Sequence, residues 1–194
     1  RRKFQSKLVR NAHAALAAHT AAYELKSDWE RMHVQVDEAD REGAIKALTR
    51  VFGIHSILPM DGQCGATLDE ISGYGELLYR ERVLNGTFAV RVKRVGVHPF
   101  TSMDAARALG AKLRTDQNKV QMKNPDVLIY VEVRDGLAQF YTQQIPGAGG
   151  LPLGTGGRAL CLLSGGYDSP VAAWQLATRG VLVDYVFFNL AGDT

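Results

Sequence analysis

Six consecutive residues, from Ser164 to Ser169, could bind an anion; their sequence is SGGYDS. Two adjacent glycines allow backbone conformations that are closed to other residues, so successive N–H groups can converge on a phosphate at a helix N-terminus. The two serines add hydroxyl donors. The Asp168 carboxylate would repel phosphate unless it caps the helix, orders the loop or meets a Mg²⁺ ion that bridges to the phosphates. The segment therefore predicts a phosphate-binding loop, and a tight structural turn is the alternative.

The residues around this segment exclude two common nucleotide motifs. No Gly-Lys-Ser/Thr follows at the spacing of a Walker A loop, so a lysine-clamped transfer of a γ-phosphate is disfavoured. The segment from Gly154 to Ala159 matches the dinucleotide pattern GxGxxA, but it precedes a predicted strand instead of following one. We therefore exclude a dinucleotide site there.

Two apolar runs flank the loop as predicted strands. Residues 159–163 contain no polar break, which predicts a strand buried on both faces, and residues 181–188 predict a second buried strand. Trp174, Phe187 and Phe188 are expected to be core side chains. With a helix between the strands, this order makes a βαβ unit, whose strands are parallel and whose crossover is right-handed.

The segment between the two runs has the period of a helix. Apolar side chains recur at helical spacing over residues 170–179. Pro170 suits the first helical position behind a cap at Asp168 or Ser169, and Gly180 suits the C-terminal stop. The helix N-terminus is thus predicted to lie directly behind the glycine turn.

The string SGGYDS behind a hydrophobic strand resembles the PP-loop of the ATP pyrophosphatase superfamily. The wider stretch over residues 149–190 resembles the tRNA 4-thiouridine synthetases, or tRNA sulfurtransferases. This resemblance implies that ATP adenylates O4 of a uridine in tRNA, that pyrophosphate leaves, and that sulfur from a cysteine persulfide displaces AMP. It implies ATP and Mg²⁺ as cofactors, and sulfur supply for thiamine thiazole synthesis as a second role.

The resemblance also assigns residues by position. Tyr167 occupies a variable position and receives no role, whereas Asp168 is additionally the candidate for an indirect Mg²⁺ contact. The cysteine that carries sulfur is expected beyond residue 194, so the chain by itself is expected to be inactive. The assigned ATP-binding residues are Leu162, Leu163, Ser164, Gly165, Gly166, Asp168, Ser169, Phe187 and Phe188.

Composition limits the class of protein. The chain has 194 residues, a net charge of +3, 46% apolar and 22% charged residues, which is typical of globular proteins. It contains no run of 18 apolar residues and no secretory leader pattern, which argues against membrane insertion and secretion and favours the cytoplasm. Its two cysteines, Cys64 and Cys161, lack metal-site spacing and fit a reducing compartment.

Residues 1–58 have the order helix, strand, strand, helix, strand. An amphipathic helix over residues 2–19 comes first, two strands cover residues 22–26 and 30–36, and a helix over residues 39–52 precedes a short strand. This order predicts a ferredoxin-like unit that lacks its first strand. We therefore expect the sequence to be a truncated form of a longer protein.

Residues 59–146 predict a second domain, with a boundary at residues 59–65. Thr67 and Thr101 begin capping patterns of two helices, and Asp135-Gly136 predicts a hairpin. The stretch RVKRVGVHPFTSMDAARALGAKL resembles the THUMP domain, an RNA-binding module of tRNA-modifying enzymes. Basic residues that could follow phosphates, or form an ordinary solvated surface, are Arg91, Lys93, Arg94, Arg107, Lys112 and Lys123.

The expected fold class is therefore α/β and α+β in several domains. These are a ferredoxin-like unit at 1–58, a THUMP domain at 59–146, a linker at 147–158 and the first βαβ of a PP-loop domain at 159–194. The expected partners are tRNA and a cysteine desulfurase or other persulfide donor, with a homodimer and without a membrane. Two alternatives stay open, namely a non-catalytic THUMP-type RNA-binding module with a scaffold PP-loop, and another PP-loop tRNA modifier such as a 2-thiolation or lysidine enzyme.

Overall fold

The computed structural model describes residues 2–20, 22–28 and 30–188. The chain forms two compact units. Unit 1 comprises Arg1–Ile57 together with Ile145–Thr194, and unit 2 comprises Leu58–Gln144. Among the described residues, none of the helices combines the length and apolar character needed to span a bilayer. Unit 2 is therefore an insertion in the sequence of unit 1, and the finer four-part division of the chain stays a prediction.

The first part of unit 1 follows the predicted order of helices and strands. The antiparallel pair β1–β2 packs with α1 and α2 around a cluster that includes the fully buried Ala12 and Leu16. Alternate residues of β2 face this cluster, as the sequence period predicted. The elements are α1 (Arg2–Ala17), β1 (Tyr23–Ser27), β2 (Met32–Val36), a 3₁₀ turn (Glu38–Asp40), α2 (Arg41–Leu48) and β3 (Ser56–Ile57).

Unit 2 is a five-stranded sheet with two helices. The strand order is β4-β8-β7-β5-β6, in which β5 is parallel to β6 and β7, and β8 is antiparallel to β7 and β4. Its core lies between α3, α4 and one face of the sheet. The elements are β4 (Gly62–Gly65), α3 (Leu68–Tyr79), β5 (Gly86–Arg94), α4 (Ser102–Leu113), β6 (Asn118–Val120), β7 (Val127–Arg134) and β8 (Leu137–Tyr141).

Local signals in the sequence set the ends of these elements. Glu70 N–H donates to Thr67 Oγ1 at 3.2 Å and Asp104 N–H donates to Thr101 Oγ1 at 3.1 Å, so both capping boxes are confirmed. The hairpin between β7 and β8 is confirmed as well, because the two-residue turn places Asp135 and Gly136 at positive φ.

The two ends of unit 2 are joined by a partly buried hydrogen-bond network. Asp61 accepts a hydrogen bond from Tyr79 Oη at 2.8 Å and one from Thr142 Oγ1 at 3.3 Å. Arg82 lies 3.4 Å from the same carboxylate. Burial and the neighbouring Asp61 raise the pKa of Tyr79, so its hydroxyl stays protonated and donates. This network fixes the first and last residues of unit 2 beside each other.

The segment at residues 59–65, where a domain boundary is predicted, contains a strand. Unit 2 begins at Leu58, next to this segment, and residues 62–65 form β4, which pairs with β8 at the edge of the sheet. This strand has four residues and a glycine at each end, so it carries no period that a sequence can reveal. Its pairing partner lies more than seventy residues later, as the pair Gly65↔Leu137 illustrates.

The second part of unit 1 contains the predicted βαβ unit. β3 pairs antiparallel with β9 (Ile145–Pro146), so the chain leaves and re-enters unit 1 through neighbouring strands. β10 (Arg158–Leu163) and β11 (Leu182–Phe187) form a parallel pair, and α5 (Asp168–Thr178) connects them. Gly180 has φ of 79° two residues after α5, which confirms its role as the stop.

Candidate phosphate-binding loop

The loop at residues 164–167 lies at the carboxyl end of β10, directly before α5. The neighbouring parallel strand ends at the same edge, because Leu163 and Phe187 are Cα partners in the ladder. Ligands of open parallel sheets bind outside the carboxyl ends of the strands. The loop also adjoins the N-terminus of an eleven-residue helix, where the macrodipole favours negative charge.

Two serines close the loop. Ser164 N–H donates to Ser169 Oγ at 3.1 Å, and the two hydroxyl oxygens are 3.2 Å apart. Gly166 N–H lies 3.4 Å from Ser164 Oγ. Among the residues that the structure describes, the N–H groups of Gly165 and Tyr167 have no hydrogen-bond acceptor. The loop therefore has free backbone donors beside a pair of hydroxyl groups.

The two glycines were expected to adopt backbone conformations that are closed to other residues, and this expectation is wrong. Neither Gly165 nor Gly166 has a positive φ, so other residues could adopt these backbone conformations. Of the atoms in residues 2–20, 22–28 and 30–188, a Cβ on Gly165 would meet none within 4 Å, and one on Gly166 would meet only Ser164 Oγ at 3.6 Å. The glycines thus leave the outer side of the loop bare, which lets a phosphate approach the backbone closely.

The start of α5 also differs from the prediction. The helix begins at Asp168, two residues earlier than expected, with Tyr167 as N-cap and no side-chain cap. Ser169 is the second residue of α5 and so lies past the cap position, and its hydroxyl accepts a hydrogen bond from Ser164 N–H. Pro170 is the third helical residue, where its missing N–H costs nothing because the first turn has no intrahelical acceptors.

Asp168 is the one predicted metal-contacting residue. Its side chain is exposed in the first turn of α5, where a carboxylate interacts favourably with the helix dipole. Among the described residues, no group of three histidine, cysteine or acidic side chains could hold a metal ion. A single exposed carboxylate beside phosphate donors fits a hydrated Mg²⁺ that keeps several waters and binds chiefly to phosphate.

The strands around the loop are less buried than predicted. Leu160 and Leu162 are 66% and 61% exposed, so β10 is not buried on both faces. Successive side chains of β10 point to opposite faces, and α5 covers only the face that carries Cys161. On that face, Cys161 Sγ lies 3.8 Å from Ser169 O. The expectation that Trp174 belongs to the core is also wrong, since its side chain is 57% exposed.

The structure brings most of the candidate ATP-binding residues to one edge. Leu163 and Phe187 end paired strands next to Ser164, and Phe188 follows, with both phenylalanines exposed instead of forming core. Leu162 lies on the opposite face of β10 from Leu163. Apart from Leu162, this arrangement can hold an anion between two strand ends and a helix N-terminus.

Neither cysteine of the chain has the character of a sulfur carrier at this loop. Cys64 lies in β4 of unit 2, where desolvation and the charge of Glu70 raise its thiol pKa to about 11. Its reactive thiolate is therefore scarce near neutral pH. Cys161 is half-buried in β10, under the start of α5.

The six predicted RNA-contacting residues lie on different surfaces of unit 2. Arg94 donates to Ser102 Oγ at 3.3 Å and packs over the ring of Phe100, so it lies at the N-terminus of α4. The hydroxyl and N–H of Thr101 lower the pKa of Asp104 there, and the charges of Arg107 and Arg94 lower it further. These two arginines therefore share one site.

The other basic residues point elsewhere. Arg91 and Lys93 alternate with the buried side chains of β5, so they lie on the sheet face away from α3 and α4. Lys93 is the ladder partner of the buried Glu132. Lys112 lies 3.8 Å from Glu76, and Lys123 is exposed after β6. The clustering of basic residues in the sequence thus did not reveal which of their side chains share a surface.

The glycine-rich segment predicted as a linker forms backbone hydrogen bonds with two other parts of unit 1. Gly53 N–H donates to Gly149 O at 2.6 Å, and Gly149 N–H donates to Ile54 O at 2.8 Å. Further on, Leu151 N–H donates to Thr178 O at 2.9 Å. We call residues 147–157 the strap, because they connect the first part of unit 1 to the end of α5.

Comparison with known proteins matches nearly the whole chain to three families. Residues 1–57 match the ThiI ferredoxin-like domain and residues 65–143 match the THUMP domain. Residues 154–193 match the family described as thiamine biosynthesis protein (ThiI). The three matches follow one another in the predicted order.

Curated relatives extend beyond this chain. A probable tRNA sulfurtransferase of Sulfurisphaera tokodaii is 37% identical over 179 residues, which cover 90% of this chain and 49% of that protein. A tRNA sulfurtransferase of Escherichia fergusonii is 35% identical over 195 residues, which cover 99% of this chain and 40% of that protein. The chain thus spans half or less of the length of these relatives.

Two solved structures share the fold. PH1313 from Pyrococcus horikoshii superposes with a TM-score of 0.83 at 31% identity, over 96% of this chain and 64% of that one. A 4-thiouridine synthetase in complex with RNA and bound ATP superposes with a TM-score of 0.77 at 29% identity, over 98% of this chain and 49% of that one. The similarity therefore extends through both units.

Proposed function

This chain belongs to the tRNA sulfurtransferase family over the part of its relatives that it spans, and from that premise we propose that it binds tRNA and ATP for the conversion of a uridine to 4-thiouridine. The observation that carries the proposal is the bare SGGYDS loop at the carboxyl end of a parallel βαβ unit, in a chain that also has a THUMP domain. A structure similar to this one holds RNA and ATP.

The loop would bind the phosphates that leave as pyrophosphate. The N–H groups of Gly165 and Tyr167 and the hydroxyls of Ser164 and Ser169 are donors of the kind that stabilise charge developing on a leaving group. Asp168 would contact a Mg²⁺ ion through water, and Leu163, Phe187 and Phe188 would lie beside the nucleotide. Mg²⁺, when bound, would neutralise charge on the phosphates.

We place the centre of RNA binding at Arg94 and Arg107. Both act on Asp104 in the first turn of α4, Arg94 from the end of β5 and Arg107 from the following turn of the helix, and the exposed apolar side chains of Val97 and Met103 lie close in sequence. Guanidinium groups bind phosphate and can stack on unpaired bases, and exposed apolar side chains can make van der Waals contacts with such bases. Arg91, Lys93, Lys112 and Lys123 would add weaker attraction, since each lies on another surface or beside an acidic residue.

Two double variants, each of which removes two positive charges from one surface of unit 2, test whether Arg94 and Arg107 are the centre of RNA binding. The Arg94→Gln/Arg107→Gln double variant is expected to lower tRNA affinity by about tenfold or more at physiological salt and to reduce the salt slope by about one to two. The Arg91→Gln/Lys93→Gln variant is the matched control, because it removes the same charge from the opposite face. Equal losses in the two variants, measured by filter binding over a salt series, would contradict the assignment.

The sulfur atom would reach the uridine from a cysteine other than Cys64 and Cys161. Since Cys64 is held mostly as thiol and Cys161 lies beneath α5, we propose that a cysteine desulfurase or another persulfide donor supplies sulfur through a cysteine elsewhere in the assembly. Such an enzyme would work in the cytoplasm, and the same sulfur could serve thiamine thiazole synthesis. A homodimer stays a prediction, which light scattering of the purified chain would decide.

Binding and turnover measured on the same 194-residue chain test the proposed function. We expect the chain to bind ATP and tRNA but to make no 4-thiouridine when it is given ATP, tRNA and a persulfide donor. Detectable turnover would contradict the expected inactivity.

Binding of tRNA without any binding of ATP or AMP would instead favour the second candidate, a non-catalytic RNA-binding module in which the loop is only a tight turn. Another PP-loop tRNA modifier is disfavoured by the match of residues 154–193 to the ThiI family.

A further inference from the structure

Phe52 connects the first part of unit 1 to the helix behind the loop. It follows α2 and is buried. Its ring meets that of Trp174 edge to face, with 4.8 Å between the ring centroids and 61° between the ring planes. Trp174 lies in the middle of α5. A side chain encoded before unit 2 therefore packs on the helix that follows the loop, more than one hundred residues later.

This contact borders a groove that reaches both ends of the loop. Phe52 and Trp174 line a cavity of about 570 Å³ together with Leu163, Pro170 and Ala173. Leu163 is the last residue of β10, and Pro170 belongs to the first turn of α5. Phe52 thus lines the same cavity as Leu163 and Pro170, the residues that immediately precede and follow the segment Ser164–Ser169.

α5 has few other buried contacts. Ala173 is its one buried residue, whereas Val171 and Trp174 are more than half exposed and Leu176 is about one third exposed. A helix with little buried apolar surface moves at low cost in free energy. Because the loop ends at the N-terminus of α5, any shift of the helix moves the donors that face a phosphate. The Phe52–Trp174 contact is therefore a large part of what fixes their position.

The strap holds the same parts of unit 1 at a second point. Gly53 N–H, next to Phe52, donates to Gly149 O, and Leu151 N–H donates to Thr178 O at the last residue of α5. The end of α5 is thus fixed by backbone hydrogen bonds, while its middle is fixed by the ring of Phe52. Loss of that ring would weaken the support of the loop end of α5, which would then depend on the contacts of Ser169 with Ser164 and Cys161.

We propose that Phe52 is a positioning residue for the loop Ser164–Ser169, acting through Trp174 and α5. This inference rests on the proposed function, since it requires the loop to bind the phosphates of ATP. Aromatic pairs of this kind contribute enough to change a binding constant by about three- to tenfold. Phe52→Ala is therefore expected to weaken ATP binding by that factor and to leave tRNA affinity within about twofold of wild type.

A double-mutant cycle on ATP affinity tests the coupling, with calorimetric titration of the 194-residue chain. Phe52→Ala and Trp174→Ala are each expected to weaken ATP binding. Because each substitution removes the same ring contact, we expect the double variant to bind ATP about as tightly as whichever single variant binds it less well. Phe52→Tyr keeps the ring and is expected to restore wild-type affinity. Leu48→Ala is the matched control, since Leu48 is buried in the cluster around α1 and does not line the groove.

Each outcome decides between the inference and its premise. Failure of the wild-type chain to bind ATP would overturn the proposed function and the inference together. Wild-type binding with unchanged affinity in Phe52→Ala would overturn the inference alone, as would an equal loss in Leu48→Ala, which would indicate general destabilisation of unit 1. If Phe52→Ala does not fold, the largely exposed Trp174 decides, because unchanged ATP affinity in Trp174→Ala would also overturn the inference.

Discussion

Replacement of Gly165 by valine is expected to weaken ATP binding by about 100-fold, which corresponds to the loss of two charge-assisted hydrogen bonds of about 1.5 kcal/mol each. The new side chain would occupy the bare side of the loop, where a Cβ meets no atom of the described residues within 4 Å. Because φ of Gly165 is not positive, the same substitution is expected to leave the midpoint of thermal unfolding unchanged. ATP affinity and unfolding temperature, measured on one preparation, separate these two effects.

Gly43→Val is the matched control for this substitution. Gly43 lies in α2, and a Cβ there also meets nothing within 4 Å, so valine is tolerated without a clash. We expect this variant to keep wild-type ATP affinity. If Gly165→Val binds ATP as tightly as Gly43→Val does, the loop does not hold the phosphates and the proposed function of the loop is wrong.

Gly150→Ala is expected to destabilise unit 1 by about 3 kcal/mol. Gly150 has φ of 70°, which costs an L-residue about 1 to 2 kcal/mol, and its Cβ would lie 2.3 Å from Thr178 O. That carbonyl accepts the strap's hydrogen bond from Leu151 N–H, so relief of the clash would break a bond worth about 1 kcal/mol. Urea unfolding of the variant and of wild type measures the difference.

The neighbouring glycine provides the control for backbone strain. Gly149 also has a positive φ, at 64°, but a Cβ on it meets nothing within 4 Å. Gly149→Ala should therefore lose only about 1 to 2 kcal/mol, the cost of the backbone conformation. Equal destabilisation by the two substitutions would show that the strap moves freely around Thr178 and does not bind the end of α5 tightly.

Elements with local signals could be predicted from the sequence. Thr67 and Thr101 mark the starts of α3 and α4 because the capping box is complete within four residues. The βαβ unit could be predicted for the same reason, since the glycine loop and Gly180 bound a helix between two apolar runs. The hairpin at Asp135-Gly136 depends only on its own turn residues.

Features that depend on distant contacts could not be predicted. β4, β6 and β9 have two to four residues each, and their partners lie elsewhere in the chain, so no period marks them. The glycines of the strap suggest flexibility in sequence, although Gly147 and Gly150 are required by close backbone approach. The exposure of Leu160 and Trp174 depends on which faces other elements cover, which apolar period alone does not determine.

The pairing of β3 with β9 has a consequence for the order in which the chain can fold. Unit 1 needs residues on both sides of an 87-residue insertion, Leu58–Gln144, so it cannot be completed on the ribosome until the βαβ unit has been synthesised. Unit 2 is continuous, and its Asp61 network holds its own ends together. Once folded, unit 2 acts as a preformed turn that brings Ile57 beside Ile145 and spares unit 1 most of the entropy of closing a long loop. Unit 2 is thereby also a folding template for the part of unit 1 that carries the loop.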